Sequence, residues 1–248
     1  MNGETDTLLQ GLCLVFNIAV CFGIPLGGLI WAARKGLHPV KPFLLGVAAF
    51  VISQICIRIP ILQLVLPAQG WFLQLSGNPW AYGLFLGVTA GIFEECARLV
   101  FLSFAGKSHR KASDGILFGL GHGGIEAMLI VGISNIIALY GIINQPVLYQ
   151  GVGYGTLLCA GVERIFAMAF HIGATLIVLY GLQKGKRVLY TFIAIALHTI
   201  LDAGSVILPA EYEFGMAGIE IYLAVVSILT LAAGIRLVCA RDKSKLLK

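Results

Sequence analysis

The chain has 248 residues, of which 58% are hydrophobic and 12% charged, against roughly 25% charged for an average soluble domain. At about 20 apolar residues per crossing, this composition supplies six or seven membrane spans and leaves no room for a soluble domain of ordinary size. The net charge of +5 sits in short Lys/Arg clusters that flank apolar runs, which excludes nucleic acid as a partner and reads as a set of topology signals.

The N-terminus opens with acidic Glu4 and Asp6 and lacks the basic n-region of a signal peptide, so the first apolar run, about 8–33, is expected to stay as a helix. Six more runs follow at about 41–66, 81–105, 113–140, 155–182, 188–207 and 216–239, each long enough to cross a bilayer. Arg58 and Pro60 make the second run the least regular. Basic clusters alternate along the loops: Arg34, Lys35 and Lys41 follow the first run, none follows the second, and Lys107, Arg110 and Lys111 follow the third. Residues 141–154 carry no charge, Lys184, Lys186 and Arg187 follow the fifth run, Glu211 and Glu213 the sixth, and Arg241, Lys243, Lys245 and Lys248 close the chain. The positive-inside rule then predicts an outside N-terminus and a cytoplasmic C-terminus in a plasma (bacterial inner) membrane.

The expected fold is all-α and polytopic: a single integral membrane domain over 1–248, with about seven transmembrane helices and a polar site at the midplane between helices 3 to 6. The runs lack the ten-residue alternation of an outer-membrane barrel. All six cysteines lie in or at the end of apolar runs without metal-like spacing, and read as buried free thiols. Gly83, Gly87 and Gly91 recur every fourth residue on the third run, and Gly115, Gly119 and Gly123 on the fourth. Such ladders let helices approach closely, and Glu95 continues the first one.

Ionisable groups inside a bilayer cost at least a few kcal/mol each, so they mark functional sites or structural pairs. The third run holds Glu94, Glu95 and Arg98, the fourth His122 and Glu126, the fifth Glu163, Arg164 and His171, and the sixth His198 and Asp202. Counted from the cytoplasmic ends at about 1.5 Å per residue, Glu94, Glu95, His122, His171 and His198 fall at depths of roughly 14–16 Å, with Glu126 and Asp202 near 20 Å. Glu163 falls near 28 Å on the same count, outside this layer, which suits a structural pairing with Arg58 or Arg164. His122 with Glu126 and His198 with Asp202 are i,i+4 pairs that share a helix face. Arg98 is within reach of either Glu94 or Glu95, leaving one carboxylate compensated and the other available for proton transfer.

Elimination narrows the chemistry. There is no H-E-x-x-H for a zinc protease, no G-x-S-x-G to display a serine, and Asp202 is the only Asp well inside a run, so an aspartyl dyad is unavailable. A water activated by Glu, with His residues polarising the carbonyl or stabilising the oxyanion, remains.

Three motifs, Glu94-Glu95-Cys96-Ala97-Arg98, Phe118-x-x-x-His122-x-x-x-Glu126 and His198-x-x-x-Asp202, resemble those of the glutamic-type intramembrane proteases, a superfamily that includes CaaX prenyl proteases, bacteriocin-processing proteins and PrsW. The whole-chain layout is most similar to the YhfC-type membrane peptidases. The resemblance covers about 80–202 and places the catalytic-type helices at about 81–207. It implies Glu94 as the water-activating base, Glu95 and Arg98 as its supporting pair, and His122 and His198 as the histidines that complete the site. Asp202 occupies the position held by Asn in the CaaX branch and by Asp in PrsW. The Arg spacing is like that of PrsW, which argues against a prenylated substrate. His171 has no counterpart in the three motifs and is included on depth alone.

The expected function is an intramembrane endopeptidase acting on a membrane-protein or peptide substrate within the lipid bilayer. A proton- or ion-coupled transporter and a non-catalytic scaffold of the same fold are the alternatives. No cofactor is expected, because zinc would make the second Glu and Arg98 unnecessary. Zinc on His122, His198 and a carboxylate is the alternative.

Overall fold

The structure, a computed structural model, describes residues 3–106, 110–149 and 151–246. Lys107, in the loop after the third run, and Lys248 lie outside them. Every apolar run becomes helix, and no strand occurs among the described residues. Helix α1 (Gly3–Ile18) passes through a π-helical turn (Ala19–Gly23) into α2 (Ile24–Arg34). Helix α3 (Val40–Phe50) continues through π-helical stretches at Val51–Arg58 and Ile61–Val65. A short α4 (Gly70–Ser76) occupies part of what reads as a plain loop in the sequence, and α5 spans Pro79–Phe104. Helix α6 (Ala112–Glu126) passes through another π-helical turn into α7 (Ile133–Asn144), and α8 (Tyr154–Lys184), α9 (Arg187–Glu211) and α10 (Met216–Leu246) complete the chain.

Local chemistry accounts for several of these boundaries. Pro25 and Pro60 lack an N–H and crowd the carbonyl four residues back, and widened turns lie just before Pro25 and on both sides of Pro60, as such defects favour. Asn78 accepts a 2.9 Å hydrogen bond from the Ala81 backbone N–H and caps α5, which begins with Pro79. Gly185, at φ +70°, ends α8 in the left-handed conformation.

Among the described residues, six helical segments are long and apolar enough to span a membrane: Asp6–Arg34, Val40–Ala68, Ala112–Asn144, Tyr154–Lys184, Arg187–Glu211 and Met216–Ala240. The 26-residue α5 is outside this set, and it carries three buried charged residues, Glu94, Glu95 and Arg98. Large apolar side chains such as Leu64, Phe104, Ile137, Ile143 and Leu229 are more than 60% exposed, a surface suited to lipid and not to water. The protein is an integral multi-pass membrane protein.

Helix α8 is the centre of the bundle. Of its apolar window 61% is buried, against 22–33% for the other five segments, and it packs on α1, α5, α6, α9 and α10. The first glycine ladder seats α5 on α9: a Cβ at Gly87 would lie 2.7 Å from the Thr199 carbonyl oxygen. The second seats α6 on α8, where a Cβ at Gly119 would lie 2.5 Å from Ile172 Cα. These contacts bring together the four helices that carry the polar residues. The cysteines are free, as expected, but only Cys21 is buried, while Cys56, Cys96 and Cys239 face outward. An apolar run is covered by lipid where it is not covered by protein, so membership of a run does not imply burial.

Candidate functional site

Glu94 and Glu95 are adjacent on α5 and take different partners. Glu94 Oε1 accepts a 2.7 Å hydrogen bond from Gln54 Nε2, and its Oε2 lies 3.0 Å from His122 Nε2. His171 Nδ1 is 3.9 Å from Glu94 Oε2, and His198 Nε2 is 3.8 Å from Glu94 Oε1. Three imidazoles from α6, α8 and α9 therefore surround one carboxylate. Their orientation is held by ring packing: Phe50 meets His122 edge-on at 5.5 Å, and Phe170 meets His198 edge-on at 5.1 Å.

Glu95 is the partner of Arg98. Arg98 Nε and Nη2 donate to the two Glu95 oxygens at 2.8 and 3.1 Å, with both residues fully buried. Arg98 Nη1 donates to the His171 carbonyl oxygen at 3.0 Å and to Thr175 Oγ1 at 2.5 Å. Its Nη2 also lies 3.0 Å from His171 Nδ1. Guanidinium has no acceptor, so Nδ1 accepts there and the His171 proton sits on Nε2, which faces Glu126 Oε2 at 2.7 Å. A similar argument applies to His198. Its Nδ1 donates to Glu95 Oε1 at 2.9 Å, which turns Nε2 toward Glu94 and toward Asp202 Oδ2, 3.6 Å away. Removing a buried charge from water is tolerated when such partners surround it, and Arg98 uses all three of its nitrogens.

A cavity of about 110 Å³ adjoins this cluster, with Glu94, Glu126, His171, His198 and Asp202 on its walls. It has room for several waters, each of which takes up about 30 Å³ in the liquid. Arg164 Nη1 is 2.8 Å from Glu126 Oε1, and Arg164 also contacts Glu163, so the structural partner of Glu163 is Arg164. Arg58 instead bonds Gln54 Oε1 at 3.1 Å, Thr89 Oγ1 at 3.2 Å and the Leu86 carbonyl at 2.7 Å. The irregular second run thus contributes Gln54 directly and Arg58 behind it.

All eight residues singled out in the sequence, Glu94, Glu95, Arg98, His122, Glu126, His171, His198 and Asp202, fall in one contiguous cluster. The pairings differ in two respects from those the spacing suggests. Arg98 serves Glu95 and not Glu94. Glu126 shares a face with His122 but reaches across to α8, to His171 and Arg164. Gln54 and Thr175 also belong to the cluster, although neither is charged and neither stands out in its apolar run. The i,i+4 spacing of Gln54 with Arg58 inside an apolar run, and of Thr175 with His171, is the signal that marks them.

Ligand atoms of Glu94, His122 and His171 lie within 4.8 Å of one another, a two-His, one-carboxylate set of the type that binds catalytic zinc. His122 Nδ1 is buried and without a hydrogen-bond partner among the described residues. The donor set therefore fits a metal ion, although His171 would give up its contact with Arg98 or with Glu126 to join it. It differs from the sequence-based alternative by using His171 in place of His198, whose Nδ1 is taken by Glu95.

The family model described as YhfC intramembrane metalloprotease matches residues 20–150 and 150–226. The uncharacterized membrane protein YhfC of Bacillus subtilis (strain 168) is 30% identical over 238 residues, covering 88% of this chain and 92% of that protein. No solved structure matches the chain. With its polar cluster built on helices inside the matched region, the chain belongs to the YhfC intramembrane metalloprotease family.

Proposed function

We propose that this protein is an intramembrane endopeptidase of glutamic type, in which Glu94 takes the proton of a water that attacks a peptide carbonyl of a membrane-embedded or membrane-associated polypeptide. The observation that carries this reading is the environment of Glu94: a carboxylate aimed by Gln54 and His122 at the wall of a polar cavity. Geometry of this kind positions a base before reaction. His171 Nε2, which carries that ring's proton, is available to donate toward a developing oxyanion by turning from Glu126, and His198 Nε2 donates when the ring is protonated on both nitrogens. Glu95 and Arg98 hold His198 and His171 in their tautomers and take no direct part.

In the same reading α5 is a seventh span, its charges being compensated inside the bundle, and the polar cluster lies near the bilayer midplane. The basic loops then face the cytoplasm of a plasma membrane with the N-terminus outside. Trp71, Trp80 and Tyr212, which gather near the ends of α4, α5 and α9 remote from the basic loops, suit an outer interfacial belt.

A second reading is favoured by the donor set of Glu94, His122 and His171. Zinc bound there would supply Lewis-acid polarisation and a water acidified toward neutrality. Glu94 would then be a ligand.

The decisive experiment compares wild type with Glu94→Gln, each reconstituted with a library of membrane-embedded reporter polypeptides. The nearly isosteric amide should preserve helix content and abolish cleavage. Cleavage within about tenfold of wild type would remove Glu94 from its role, since loss of a general base typically costs 10²–10⁴-fold. Ion flux without cleavage would favour a transporter, and neither activity a scaffold.

A further inference from the structure

The cavity beside Glu94 extends between α8, α9 and α10, and its far walls are acidic. Glu126, Glu163 and Asp202 line it, with Arg164 as the one permanent cation among the lining residues. That guanidinium serves both Glu126 and Glu163, so the negative charge is in excess. Asp202 has His198 Nε2 at 3.6 Å as its ion-pair contact. The Glu163 and Asp202 side chains are 35% and 36% exposed, which leaves oxygens of both able to meet an entering group.

An independent observation points the same way. Ser227, on α10, is only 1% exposed and lines the cavity, yet its Oγ has no hydrogen-bond partner among the described residues. A buried hydroxyl without a partner costs free energy that an entering donor would recover. These carboxylates do not belong to the close ligand group formed by Glu94, His122 and His171. An organic cation fits such spread acceptors better than a metal ion does. At about 110 Å³, the space suits the end of one long side chain.

We infer that this cavity is a subsite for a basic side chain, Lys or Arg, of the polypeptide substrate, with Glu163, Asp202 and Ser227 as its acceptors. The word substrate rests on the peptidase reading, but binding of the cation does not. A basic residue seated here lies beside Glu94, so the subsite would select substrates with Lys or Arg close to the scissile bond.

The test uses full-length protein in detergent and two photo-crosslinkable hydrophobic peptides that are identical except for one central Arg or norleucine. Glu94→Gln serves as the background, which prevents turnover. The Arg peptide should bind on the order of tenfold more tightly, as expected of one partly buried charge pair. Glu163→Gln combined with Ser227→Ala should bring the ratio toward one, while Glu163→Asp should largely keep it. Equal affinity of the two peptides for the background protein, a comparison that needs no subsite variant, would overturn the inference. So would a preference that survives unchanged in a folded Glu163→Gln, Ser227→Ala protein, or one abolished by chelation of a bound divalent ion. Arg preference without cleavage by reconstituted wild type would remove the peptidase reading and leave the subsite. Cleavage without Arg preference would do the reverse.

Discussion

Gln54 Nε2 donates to Glu94 Oε1 at 2.7 Å across 40 residues of chain, joining the most irregular apolar segment to the carboxylate at the centre of the site. Arg58, four residues on, bonds the Gln54 side-chain oxygen at 3.1 Å. The amide is thereby fixed at both ends, and its NH₂ can only face Glu94. The π-helical stretch Val51–Arg58 is the backbone that presents both side chains.

Gln54→Leu keeps the volume but removes the donor that aims Glu94. Cleavage should fall on the order of 10²-fold, the cost of a catalytic group misplaced by about 1 Å, with the thermal midpoint in detergent changed by only a few degrees. Rate loss should appear in kcat more than in KM. Unchanged kcat would mean that the hydrogen bond does not position the carboxylate.

Arg98→Met strands Glu95 in a buried site and should destabilise the protein by about 3–5 kcal/mol. Adding Glu95→Gln should recover much of that loss, because a neutral pair replaces an orphaned charge. Arg98→Lys should fail to rescue, since one ammonium cannot reproduce the forked contacts to Glu95 and His171. Thermal or denaturant unfolding in detergent measures all three variants.

Gly119→Ala places a methyl 2.5 Å from Ile172 Cα and 2.8 Å from the His171 carbonyl oxygen. Backbone cannot rotate away, so α6 must shift off α8 and carry His122 from His171. A stability loss of about 1–3 kcal/mol is expected, with activity falling further than stability. Ser103→Ala, at an exposed position, provides the comparison variant and should leave both near wild type.

The glutamic reading expects purified protein to hold far less than one zinc per chain and to stay active after prolonged chelation. Elemental analysis checks it on material that has not met an affinity metal. Stoichiometric zinc that is lost in His122→Ala and in His171→Ala, with activity restored by zinc after chelation, would make Glu94 a ligand. His198→Ala should then lower activity without emptying the metal.

Orientation is tested by single cysteines on a cysteine-free background. Ser76→Cys should react with an impermeant thiol reagent on intact cells, and Lys35→Cys only after permeabilisation. Both positions are exposed, so differing reactivity reports the side of the membrane. Equal labelling would refute the alternation of charge.

The helices and the residues of the polar cluster are legible in the sequence for one reason: apolar runs long enough to span a bilayer make any charged group inside them conspicuous. Glu94, Glu95, Arg98, His122, Glu126, His171, His198 and Asp202 stand out in this way, and the glycine spacing already marks α5 and α6 as closely packed. Gln54 is not conspicuous, being uncharged and in a run whose Pro60 and Arg58 draw attention first. The sequence by itself determined which residues lie on which helix face, because a 3.6-residue period does so. Only the tertiary structure decided that Arg98 braces Glu95, that Glu126 turns to His171 and Arg164, and that a cavity opens between α8, α9 and α10. Those choices depend on the rotation and separation of neighbouring helices, set by contacts such as Gly87 on Thr199 and Gly119 on Ile172, and periodicity within one helix carries no information about them.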